Sequence, residues 1–169
     1  MQKRRCCNQD IADAAGLECK NGVVVDEDAM TSDPSIFAIG DVSFRPIPRY
    51  DTHFRLESVP NVLEQARRVA AILTGKQTAP ADVPWFWSDQ YDLKIQIAGL
   101  PIDCDTEISR GDPSSNSFAV FHLKGTVIRA VEAINAPPEF MVGRKLIGAA
   151  QEIDPARLAD SSIPMKEVT

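Results

Sequence analysis

The chain has 169 residues, with 24 acidic against 18 basic side chains, a net charge of -6 and a pI near 4.9. That balance argues against a nucleic-acid surface, and the length allows one domain or two small ones. Met1 to Asp10 has basic residues with no apolar stretch behind them, and no window approaches a membrane span. A soluble cytoplasmic protein with no membrane partner is therefore expected.

Cys6, Cys7, Cys19 and Cys104 show no C-x-x-C spacing, and His53 and His122 lie far apart without flanking ligands. Free thiols and no metal site are expected. His122 falls in an alternating stretch and reads as a face residue, while His53 reads as a solvated loop residue.

Met1–Cys7 has no periodicity and reads as a disordered or foreign lead-in. Asn8 is positioned to cap a short helix ending at Gly16. Asn21-Gly22 signals a turn before a β-branched strand at Val23, Val24 and Val25. Ile36 to Ile39 has the look of a buried strand running into Gly40 and Asp41. A strand-end carboxylate close to a helix start suits a nucleotide cofactor bearing hydroxyls and an electron-rich ring; an aspartate that merely caps a turn is the competing reading. Val42 to Leu56, with two prolines, aromatics and three arginines, reads as a surface loop.

The next helix is the best-marked element. Val59, Val62, Leu63, Ala66, Val69, Ala70 and Leu73 recur at three- and four-residue spacing, with Ser58 as N-cap, Pro60 in the first turn and Gly75 as stop. The pattern predicts a packed helix and leaves Asn61 and Gln65 facing either solvent or a ligand.

Gly75 to Pro84 is the candidate boundary, dividing 8–80 from 81–169. Beyond it, Trp85, Phe86, Trp87 and Tyr91 cluster, and Leu93, Ile95 and Ile97 alternate with polar residues. Strands are predicted over Thr106 to Ser109, Phe118 to Leu123 and Thr126 to Ile134, the last two joined by a tight hairpin at Lys124-Gly125. Pro137-Pro138 ends the strands, a helix follows over Glu139 to Ala150, and Asp154 caps a short tail helix from Pro155. The fold class is α+β: strands and one long helix, then an antiparallel sheet with helices on one face.

Three runs in order carry a resemblance: T-S-D-P-S-I-F-A-I-G-D, E-S-V-P-N-V-L-E-Q-A-R-R-V-A-A-I-L and P-W-F-W-S-D-Q-Y. They resemble the C-terminal part of FAD-dependent NAD(P)H:ferredoxin reductases of the putidaredoxin reductase type, over about Asn8 to Val168. The resemblance implies that 8–80 is the end of an FAD domain and 81–169 the reductase's C-terminal, interface-type domain. It implies electron transfer from NAD(P)H through FAD to a [2Fe-2S] ferredoxin serving an oxygenase or cytochrome P450. Asp41, after Gly40, is implied to accept from a ribityl hydroxyl, and the Val59 N–H to meet the pyrimidine edge of the flavin. Glu57 and Asn61 are implied to give support nearby. Trp87, with Trp85 beside it, is implied to lie near the flavin where ferredoxin docks, against the alternative of an aromatic core.

The family's G-x-G-x-x-G fingerprints for FAD and NADH are absent from these 169 residues. The expectation is a truncated product, a displaced start or an excised piece, incompetent for hydride transfer alone and bound to FAD weakly if at all. A non-catalytic module forming a homo-oligomer is the alternative.

Overall fold

The computed structural model describes residues 7–169, so the expected lead-in lies outside the described residues except at Cys7. These residues form two compact units, one ending at Ala81 and the other spanning Asp82–Thr169.

The first unit holds α1 (Asp10–Ala14), β1 (Val23–Val24), β2 (Ser43–Ile47), β3 (Thr52–Phe54) and α2 (Val59–Leu73). Its sheet has the order β1-β2-β3, parallel between β1 and β2 and antiparallel between β2 and β3. The N-cap of α1 is Gln9 rather than Asn8, and its side chain makes no cap bond, because its Oε1 accepts from the Gly22 N–H at 3.0 Å.

Two further expectations fail here for related reasons. Ile36 to Ile39 is not a strand: Phe37 alone makes a bridge, to Met30, and Ile36 and Ile39 are exposed. A strand requires a neighbour for its N–H and C=O groups, and no second strand among the described residues runs alongside it. Conversely, the expected surface loop contains β2 and β3, with Ser43, Arg45, Ile47 and Tyr50 buried. Arg45 tolerates burial because Glu64 pairs with it through two N–O contacts of 3.1 and 3.2 Å.

Helix α2 starts and stops where its signals lie: Ser58 accepts from the Asn61 N–H, Pro60 sits in the first turn, and Gly75 follows with a φ of +64°. Its burial is inverted relative to its pattern. Asn61 and Gln65 are buried, whereas Val59, Leu63 and Leu73 are 58%, 47% and 70% exposed. The surface beneath the helix is polar, built from Arg45, Ser43 and the Gly40 turn, so the amide side chains turn inward.

The second unit is a five-stranded antiparallel sheet of order β4-β5-β8-β7-β6, formed by β4 (Trp85–Gln90), β5 (Leu93–Gly99), β6 (Thr106–Asp112), β7 (Ser117–Lys124) and β8 (Val127–Ile134). Lys124 pairs with Val127, leaving Gly125 and Thr126 as a two-residue turn with Gly125 at φ +59°. Helix α3 (Pro137–Ala149) covers one face, its prolines lying inside the first turn, where a missing N–H costs nothing, rather than before the helix. Phe121, Leu123, Val131, Phe140, Leu146 and Ile147 form the centre of the core. Gly143 brings α3 onto the sheet: a Cβ there would stand 3.0 Å from Val131 Cγ1 and 3.1 Å from Phe121 Cε1.

Helix α4 (Pro155–Ala159) is capped by Asp154, whose carboxylate accepts from the Ala156 and Arg157 N–H groups. Arg110, 4% exposed, fastens the tail by donating to the carbonyls of Leu158, Asp160 and Ile163 while pairing with Glu139. His122 is a buried member of its strand, between Glu107 and Glu132. Among the described residues no helix is long and apolar enough to cross a membrane.

Candidate functional site

In the first unit, the turn bearing Gly40 and Asp41 packs against α2, whose start carries Val59 and Asn61, and Glu57 is tied to the Asp41 backbone through Arg55. The backbone at Gly40 has a φ of +76°, and a Cβ there would meet Val62 Cγ2 at 3.2 Å, so the chain passes close over the helix and turns outward. A 3₁₀ turn, Gly40–Val42, follows and leaves Asp41 exposed. The Asp41 carboxylate has no hydrogen-bond partner among the described residues. Arg55 lies beside it: one guanidinium nitrogen is 3.4 Å from the Asp41 carbonyl oxygen and 2.8 Å from Glu57 Oε1. Glu57 is thereby held at the rim by the same arginine that steadies the aspartate's backbone.

At the helix start the Asn61 N–H is directed at Ser58 Oγ, the Val62 N–H at the Ser58 carbonyl, and Pro60 has no N–H. The Val59 N–H is left without a partner among the described residues. An exposed valine thus presents a free donor at the positive end of a 15-residue helix.

Asn61 does not face outward. Its Oδ1 accepts from Arg45 at 3.0 Å and its Nδ2 donates to the Leu56 carbonyl at 2.9 Å. Gln65, one turn on, receives the Gly40 N–H at 2.7 Å. This buried polar joint between turn and helix, with Ser43 and Arg45, escapes pattern reading, because polar residues four apart on an amphipathic helix ordinarily mark its wet side.

The residues present suit one end of a flavin. A carboxylate accepts from polyol hydroxyls, and a free helix-start N–H donates to a ring carbonyl oxygen. The sequence has no G-x-G-x-x-G turn of the kind that cradles its diphosphate.

In the second unit, Trp85 and Trp87 stand two apart on β4 and so share a face. Their rings are stacked with centroids 5.5 Å apart. Trp85 also meets the Phe140 ring at 5.8 Å, and the Arg144 guanidinium lies 4.8 Å from its centroid, paired in turn with Asp82. Trp85 is half-buried against α3, whereas Trp87 is 43% exposed.

Among the described residues no cysteine pair accompanies these groups. Cys7, Cys19 and Cys104 are free thiols, and burial is the largest influence pushing the Cys104 thiol up. Among the described residues no cluster of His, Cys, Asp or Glu could hold a metal ion.

Two family models match: "Reductase C-terminal" over residues 85–169 and "Pyridine nucleotide-disulphide oxidoreductase" over residues 5–66. The chain is 50% identical to the probable ferredoxin reductase CtmF of Castellaniella defragrans, over 96% of its own length and 39% of that protein. It is 44% identical to the putidaredoxin reductase CamA of Pseudomonas putida, over 95% of its own length and 38% of that protein. The reductase in a crystal structure of a covalent putidaredoxin reductase–putidaredoxin complex superposes with a TM-score of 0.92 at 43% identity, covering 96% of this chain and 39% of that one. A ferredoxin reductase for the CYP199A2 system of Rhodopseudomonas palustris gives 0.88 at 40% identity, covering 96% of this chain and 40% of that one. The chain thus spans about two fifths of the length of these relatives. With the reductase C-terminal model matching just over half of its residues, the chain belongs to the reductase C-terminal family and corresponds to the C-terminal portion of ferredoxin reductases of the putidaredoxin reductase type.

Proposed function

We propose that the chain supplies the ribityl and ring side of an FAD site, in a protein that passes electrons from NAD(P)H to a [2Fe-2S] ferredoxin serving an oxygenase or cytochrome P450. The observation that carries this reading is an exposed Asp41 on the turn packed against α2, its carboxylate without a partner among the described residues, together with a Val59 N–H at the start of that helix that likewise lacks one. FAD, when bound, supplies hydride acceptance and one-electron release. Asp41 accepts from a ribityl hydroxyl. The Val59 N–H donates to the pyrimidine edge, and the positive helix end stabilises negative charge there. Glu57, fixed by Arg55, lines the rim, and Asn61 holds the helix head from beneath. The outer face of Trp87 meets the ferredoxin, with Trp85 stacked behind it as a path for electrons; packing by Trp85 against Phe140 serves the core as well.

Flavin fluorescence titrations of the wild type, Asp41→Ala and Val59→Pro test this. Proline is tolerated at the first helical position, so Val59→Pro removes the N–H without breaking α2. Each variant should weaken binding about tenfold or more, the worth of one charge-assisted hydrogen bond. Wild-type affinity in both would overturn the assignment.

A second reading has its own support. Ile36, Ile39, Val59, Leu63 and Leu73 are exposed apolar side chains on the first unit, and apolar side chains left in water favour association with a second copy of this chain. Light scattering decides it: a dimer in the wild type that Leu63→Ser dissociates favours self-association, and a monomer at high concentration rejects it.

A further inference from the structure

The joint between the Gly40–Asp41 turn and α2 has a fixed direction, set by groups whose hydrogen-bonding sense is unambiguous. Arg45, 5% exposed, can only donate, and it gives one N–H to Asn61 Oδ1 at 3.0 Å. That fixes Asn61 Nδ2 as the end facing the Leu56 carbonyl and Gln65, 2.9 and 3.3 Å away. The Gly40 N–H, also only a donor, lies 2.7 Å from Gln65 Oε1. Ser43 Oγ stands 3.1 Å from the same oxygen and 2.8 Å from the Gly40 carbonyl, and its single proton serves one of them at a time. The Gly40 N–H and one Asn61 Nδ2 hydrogen therefore converge on Gln65 Oε1, with the Ser43 hydroxyl also in reach of it. The other end of that amide, Nε2, is buried with no partner among the described residues, on a side chain only 2% exposed.

An apolar side chain of similar size would remove the cost of the stranded Nε2, and would strand the Gly40 and Asn61 donors instead. The acceptor at position 65 thus matters more than the donor. It is also the direct link from α2 to the residue that precedes Asp41, across 25 positions of sequence.

We propose that Gln65 is the positioning residue of this site: by holding the Gly40 N–H, it sets where the Asp41 carboxylate stands relative to the free Val59 N–H. The proposal rests on the flavin reading above for its ligand, but the clamp on Gly40 exists without one. Gln65 touches no ligand in this role and acts through Asp41.

The test uses the whole chain and two readouts. The first is hydrogen exchange of the Gly40 amide by NMR, with the helix-interior Val69 amide as a control for folding. Gln65→Leu should lower Gly40 protection about tenfold or more while Val69 is unchanged, and Gln65→Glu, which keeps an acceptor, should stay within roughly threefold of wild type. Should Gln65→Leu not fold, Gln65→Asn withdraws the amide by one methylene and gives the same reading. The second readout is FAD affinity in a double-mutant cycle. Gln65→Leu should weaken binding about tenfold in the wild type but less than roughly threefold in Asp41→Ala, because both losses act through one turn. Unchanged Gly40 protection, or losses that add fully in the cycle, would overturn the proposal. If the wild-type chain takes up no FAD, the flavin reading fails by itself, and the Gly40 exchange still decides the clamp.

Discussion

Replacing Arg110 with methionine removes a side chain that ties four groups of the second unit together, while keeping its apolar stem. Four groups lose a partner: Glu139 Oε1 at 3.3 Å and the carbonyls of Leu158, Asp160 and Ile163 at 3.0, 2.7 and 2.5 Å. Breaking a buried ion pair from one side costs about 3–5 kcal/mol. Glu139 retains some contact with water, its side chain being 20% exposed, which places the expected loss near the lower end, about 3 kcal/mol. Both tryptophans of the chain, Trp85 and Trp87, lie on β4 of this unit, so their fluorescence reports its unfolding and not that of the first unit. With a urea dependence of about 1–2 kcal/mol per molar, the midpoint should fall by roughly 1.5–3 M. Arg110→Lys, which keeps the charge but not the forked geometry, should fall between the two. A midpoint within about 0.5 M of wild type in Arg110→Met would refute the claim that this residue fastens the tail.

The inverted burial of α2 makes two substitutions rank against intuition: Leu63→Ser should change stability by less than about 0.5 kcal/mol, whereas Asn61→Ala should cost about 2 kcal/mol. Circular dichroism melts of the two variants check the order, and a larger cost for Leu63→Ser would contradict it. Acid should loosen the tail. The Ser162 hydroxyl, and after it the Ser162 N–H, hold the Asp160 carboxyl below the usual aspartate range. A group whose folded value is depressed contributes its stability above the unfolded value, near pH 3.9, and loses it as pH falls through the folded one. Asp160→Asn should therefore be less stable than wild type at neutral pH, with the gap closing below about pH 4. A gap that persists unchanged into strong acid would refute this.

How much of the molecule was legible from its residues varied by element. Strands β5, β7 and β8 announced themselves because one face packs under α3, so alternation and burial agree. The ends of α2 were equally plain, since Ser58, Pro60 and Gly75 act locally. What α2 buries was not, because an amphipathic pattern shows that a helix has two sides and not which of them finds a partner. Arg45 made its strand look like a loop, since nothing local reveals that Glu64, nineteen positions on, neutralises it. Ile36 to Ile39 erred the other way, its apolar run promising a strand for which the described residues offer no neighbour. Of the candidate site, the residues themselves marked only an acid after an apolar run that proved not to be a strand, and a helix start at Ser58 and Pro60; the proposed roles of Asp41 and Val59 rest on the family resemblance. Gln65 and Arg55 were not marked, because their importance lies in which backbone atoms they meet.

The central claim is that these residues hold the ring and ribityl end of a flavin and not its diphosphate end, and the relative affinities of riboflavin and FAD for this chain test it most directly. Riboflavin lacks the diphosphate and adenosine, so the two should bind within roughly threefold of each other, and excess ADP should displace neither. FAD binding about a hundredfold more tightly than riboflavin, or displaced by ADP, would place the binding energy at the other end of the cofactor and contradict the account.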